Sequence, residues 1–70
     1  MTFDNASIFF KELVMHHRLP AEMHIYFNGH IRIVLPRGRM IEQLQDEIQK
    51  MAESRGFENQ SDADWLIFRG

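Results

Sequence analysis

The stretch from Met23 to Pro36, MHIYFNGHIRIVLP, constrains the fold more than any other part of the chain. Asn28-Gly29 stands between two runs rich in Ile, Val, Tyr and Phe. A type I′ turn needs two residues with positive φ, and Asn-Gly is the strongest short signal for it. β-Branched and aromatic flanks suit a pleated, half-buried surface. The segment therefore predicts a β-hairpin whose second arm stops at Pro36.

The two arms disagree about which face is apolar. With a two-residue turn at Asn28-Gly29, Phe27 lies opposite His30, Ile25 opposite Arg32 and Met23 opposite Val34. Side chains alternate with period two, so these six share one face. His24, Tyr26, Ile31, Ile33 and Leu35 take the other, and each face is half apolar. One resolution is a bulge or a three-residue loop. It would shift one arm by a residue, gather the apolar positions, and leave His24, Tyr26, Arg32 and His30 toward solvent. The other is that both faces are covered, one by helices and one by a partner chain. We expect the second. The last strand, DWLIFRG, is apolar on both sides, with Trp65 and Ile67 against Leu66 and Phe68. Strands of that kind are usually buried on both faces.

Helices flank the hairpin. DNASIFFKELVMHHRLP reads as the first, with Asp4 as N-cap and Phe3 and Ile8 at hydrophobic-staple spacing. Phe10, Leu13, Val14 and Phe9 form its apolar side, and Pro20 ends it. Met40 to Arg55 is the clearest helix, with Ile41, Leu44, Ile48 and Met51 on one stripe. Asp46 and Lys50 stand at ion-pair spacing. Gly56 is placed to cap it, and Phe57 can fold back over its last turn. The expected class is α+β, with residues 1–70 as one domain in the order α-β-β-α-β. A three-stranded mixed sheet would pack against two helices, its last strand parallel to the second through a crossover.

A chain of 70 residues has a small core. Such a core rarely supplies more than about 3–5 kcal/mol without a disulfide, a metal or a partner. With no cysteine there is no disulfide, thiolate metal site or thiol nucleophile. The composition, 44% hydrophobic and 26% charged, is too apolar for a disordered tail. The net charge of -2 counts against a dedicated nucleic-acid binder, which is usually basic. MTFDNASIFF lacks the charged start and apolar core of a signal peptide. No stretch approaches the roughly 18–20 apolar residues of a membrane span. A cytoplasmic location is expected.

The candidate chemistry is sparse. Arg32, Arg37 and Arg39 form a basic cluster at the start of the long helix, with Arg18 a possible neighbour. Guanidiniums at a helix start could grip phosphate or an acidic protein patch. His24 and His30 fall on opposite faces in the simple register. His16 and His17 are adjacent and diverge on a helix. Asp62-Ala63-Asp64 more readily caps the turn before the last strand than holds a cation. No metal, cofactor or small-molecule substrate is expected. GHIRI, on a hairpin between two helices, resembles the strand histidine of small toxin ribonucleases of the HicA type over a handful of residues. The acidic balance and the extra C-terminal strand depart from that pattern.

The expected function is a small non-catalytic protein–protein interaction module, either a homodimer or a docking inhibitor or regulator of a larger protein. Accessory proteins of phages and mobile elements share this size and format. The candidate partner-binding residues are His24, Tyr26, Arg32, Arg37 and Arg39. The alternatives are a nucleic-acid-binding regulator using the arginine cluster and a small histidine-dependent ribonuclease.

Overall fold

Three residues, not two, close the hairpin in the computed structural model, which describes residues 3–70. Tyr26 N–H donates to the His30 carbonyl, and Gly29 N–H donates back to the Tyr26 carbonyl, each at 2.9 Å. Phe27, Asn28 and Gly29 form the loop between them. Gly29 has φ +82° with open space around it, so its role is purely conformational. A turn followed by a left-handed residue is the common three-residue hairpin closure. Asn28 Oδ1 accepts the His30 N–H at 3.1 Å and satisfies the tip.

The single extra loop residue decides the faces. Strand β1 (Glu22–Ile25) pairs with β2 (Ile31–Pro36) in the register Met23 to Ile33, His24 to Arg32 and Ile25 to Ile31. Met23, Ile31, Ile33 and Leu35 now point one way; Glu22, His24, Tyr26, Arg32 and Val34 point the other. The disagreement between the arms is resolved within the chain, by the longer loop. The inference that a partner had to cover a second apolar face does not follow from the register.

Helix α1 (Phe3–Lys11) runs into a turn of π-helix, Glu12–His16. Asp4 lies in its first turn rather than at the cap. The staple expected between Phe3 and Ile8 lies outside the described residues. Ala6, Phe9 and Leu13 are fully buried, so Phe9 and not Phe10 centres the apolar side. Arg18, at φ +56°, reverses the chain. Leu19 N–H then donates to the Leu13 carbonyl at 2.9 Å.

The expected long helix is two. Helix α2 (Arg39–Gln43) and helix α3 (Gln45–Ser54) meet at Leu44, whose φ of -103° and ψ of 6° break the helical path. The stripe still works across the break. Ile41 and Ile48 are buried, Leu44 and Met51 are partly so, and Ala52 joins them. No Asp46–Lys50 ion pair forms among the described residues. Gly56, at φ +77°, reverses the chain as expected of a residue just past a helix end. Phe57 returns over the last turn, its N–H donating to the Ala52 carbonyl at 2.8 Å.

Two further strands follow, where one was expected. Glu58–Asn59 forms the stub β3, and Trp65–Arg69 forms β4. The sheet order is β1-β2-β4-β3 and every neighbouring pair is antiparallel. Both β2 and β3 run opposite to β4, so they are parallel to each other. The crossover through the helices therefore ends in β3, and β4 inserts between the two parallel strands. This corrects the expected parallel β4 and the three-stranded mixed sheet. The coarse class, a small α+β molecule with a β-hairpin at Asn28-Gly29, stands.

The core lies between the helices and one face of the sheet. Phe9 sits at its centre, 5.2 Å from the Phe57 ring and 5.7 Å, edge to face, from the Phe68 ring. Ile33, Leu35, Leu66 and Phe68 supply the sheet side and are fully buried. Glu12 and Arg55 pin the start of the π turn to the end of α3 at 3.0 Å.

Candidate functional site

The face of the sheet opposite the core is open among the described residues. The register sorts it into cross-strand rows. Tyr26 and His30 stand at the hairpin tip. His24, Arg32, Arg69 and Glu58 form the next row, one from each strand. Glu22, Val34 and Ile67 form a third, and Pro36 and Trp65 a fourth.

The middle of the face is apolar and its aromatic flanks are accessible. Val34 is nearly buried beneath its neighbours, while Trp65 is 40% exposed and Tyr26 44%. A shallow concavity of about 260 Å³ opens here, its apolar lining drawn from Tyr26, Val34, Trp65 and Ile67. Arg32 lines it as well, its guanidinium 5.1 Å from the centre of the Tyr26 ring. That is cation–π distance and holds both side chains in place.

Arg32 Nε is buried and has no hydrogen-bond partner among the described residues. Arg69 is the cross-strand partner of Arg32, so a second arginine stands opposite it on the same face. Like charges directly opposite each other weaken a sheet. None of the three ion pairs among the described residues engages either arginine. Arg69 is turned to His30 instead, its Nη2 2.8 Å from Nδ1 and 3.5 Å from Nε2, so the guanidinium lies against the imidazole face.

Three of the expected partner-binding residues, His24, Tyr26 and Arg32, meet on this face. Arg37 and Arg39 do not join them. Arg37 follows the far end of β2 and is held by its own surroundings. Its Nη1 meets Glu42 Oε1 and its Nε donates to the Asp62 carbonyl, both at 2.8 Å. Arg39 is exposed at the start of α2, a helix of five residues. The expected basic cluster of Arg32, Arg37 and Arg39 therefore does not assemble. Arg69 is the cation that meets Arg32, and sequence reading missed it. Trp65, Ile67 and Arg69 alternate on β4, which was the signal available.

The histidines are brought closer than expected but not together. His24 and His30 share the open face, because the three-residue loop changes the parity. His24 bonds Glu22 at 3.2 Å and His30 packs against Arg69. His16 and His17 are exposed at the end of the π turn beside Glu12. Asp62 caps the start of β4, its Oδ1 accepting the Asp64 N–H at 2.9 Å and the Trp65 N–H at 2.8 Å. No group of three or more His, Asp or Glu side chains converges among the described residues.

Among the described residues, no helix is long and apolar enough to cross a membrane. Compared with protein-family models, with curated proteins and with solved structures, the chain finds no match.

Proposed function

We propose that this chain is a non-catalytic protein–protein interaction module that docks through the open face of its sheet. One observation carries the reading. Tyr26, Trp65 and Arg32 are the side chains that dominate binding energy at protein interfaces, and here they surround one apolar concavity. The helices all pack on the other side of the sheet, which leaves these side chains accessible. The role fits a docking inhibitor or regulator of a larger protein, or a homodimer. The small core also suits a protein that gains stability from its partner, since binding only the folded form shifts the folding equilibrium.

Both hairpin histidines have structural partners, and no nucleophile, base and orienter triplet supports the ribonuclease alternative. The nucleic-acid alternative drew on the cluster of Arg32, Arg37 and Arg39, and only Arg32 of these faces the sheet surface.

Selection from a random peptide library displayed on phage tests the proposal. The expected result is peptides whose binding shifts the amide signals of β1, β2 and β4 and is lost in the Tyr26→Ala, Trp65→Ala double variant. Peptides that map to the helix side, or bind the double variant equally well, would refute it.

A further inference from the structure

We propose that Arg32 and Arg69 form a carboxylate-binding pair that takes an acidic side chain from an extended segment of a protein partner. This rests on reading the open sheet face as a protein-docking surface, and it names the chemistry of that partner.

The pair is costly for the fold by itself. Two arginines are cross-strand partners on the central strands, and no carboxylate of the described residues pairs with either. An anion seated between the two side chains offsets this pairing of like charges. It accepts from the planar guanidinium forks, a geometry that carboxylates match in bidentate fashion.

The pair is also held ready. Tyr26 stacks under Arg32 at 5.1 Å, and Arg69 packs against the His30 ring, its Nη2 2.8 Å from Nδ1. Glu58 stands beside Arg69 in the register of the neighbouring strand, yet Arg69 turns to His30 and makes no ion pair with it. Guanidiniums positioned in advance lose less side-chain freedom when they bind.

The surrounding charges select an isolated carboxylate over a polyphosphate. The central strands carry the cations, while the edge strands carry Glu22 on β1 and Glu58 on β3. A nucleic-acid backbone crossing the sheet would pass over one of these glutamates at either side. A single acidic side chain entering from above can settle on the two central arginines, between His24 on one side and Glu58 on the other. Its apolar neighbours along an extended segment then face Val34, Ile67 and Trp65, because side chains of such a segment recur on one side at every second residue.

The test is a titration of the whole chain followed by the arginine Nε–Hε signals in nitrogen-15 NMR. The probes are a short blocked peptide alternating valine and glutamate, its glutamine counterpart, oligothymidylate, and sodium acetate against sodium chloride at equal ionic strength. The glutamate peptide is expected to shift Arg32 and Arg69 and to bind about tenfold more tightly than the glutamine peptide, as a charge-assisted pair requires. Acetate should shift the same two signals weakly and chloride should not. Arg69→Gln should weaken the glutamate peptide about tenfold while its amide spectrum stays dispersed. Equal binding of the two peptides would overturn the proposal. So would oligothymidylate moving both arginines where the glutamate peptide does not. If acetate shifts the pair while neither peptide binds, the carboxylate site stands and the docking reading fails. If peptides bind the face but acetate and glutamate leave the arginines unmoved, the reverse holds.

Discussion

Individual residues on the two sides of the sheet are placed for different reasons, and substitution separates them. Gly29 is needed for its backbone angle alone. Gly29→Ala meets no atom within 4 Å, so its effect is the strain of a left-handed alanine. That costs about 1–2 kcal/mol, readable in urea denaturation. Asp62→Ala removes the acceptor of two amides at the start of β4. A loss of about 1 kcal/mol is expected, with faster hydrogen exchange at the Trp65 amide. Arg69 behaves in the opposite way. Arg69→Gln relieves a repulsion across the ladder and gives up its contact with the His30 ring, so thermal stability should stay level or rise. A clear fall in melting temperature would mean that Arg69 serves the fold and not a ligand.

At the scale of elements, the hairpin loop sets which face is which. Deleting Phe27 tests this sharply. In the observed register Tyr26 still meets His30 after the deletion, now across a two-residue Asn28-Gly29 turn, the arrangement that sequence favours. Phe27 is fully exposed, so no burial is lost. The deletion variant should keep its fold and melt close to or above the wild type. With a two-residue turn in the parent, the same deletion would move every β1 side chain to the wrong face and collapse the melting temperature.

The elements also show how far the sequence was legible. The hairpin, its end at Pro36, the stripe Ile41-Leu44-Ile48 and the reversal at Gly56 follow from local period and turn chemistry, and all are present. The break at Leu44 carries no Gly or Pro to announce it. Strand β3 is two polar residues whose pairing depends on β4 being in place. Mistaking its stub for loop made the crossover end in the wrong strand and gave β4 the wrong direction. At the site, His24 and Tyr26 were legible because they alternate on one arm of the hairpin, while Arg32 joins their face only through the three-residue loop. Arg69 was not, since it meets Arg32 and His30 only through pairing between segments far apart in sequence. Proximity in sequence falsely joined Arg37 and Arg39 to Arg32.

For the whole molecule, a small core and an open face should respond unequally. Phe9 is fully buried against Phe57 and Phe68. Phe9→Ala should cost about 3–5 kcal/mol, which matches the whole stability expected of a core this size, about 3–5 kcal/mol. The variant should be largely unfolded at 25 °C by circular dichroism. Trp65→Ala, on the open face, should cost only about 1–2 kcal/mol and leave a cooperative melt.

The openness of that face to a partner is best measured by hydroxyl-radical footprinting of the whole chain, alone and with a peptide recovered by display. Phe27 at the bare tip and Phe9 in the core provide internal limits of full and no reaction. Tyr26 and Trp65 should react readily in the free protein and become protected when the peptide binds, while Phe27 is unchanged. Tyr26 and Trp65 as unreactive as Phe9 in dilute free protein, or unaffected by a bound peptide, would contradict a docking role for the open sheet.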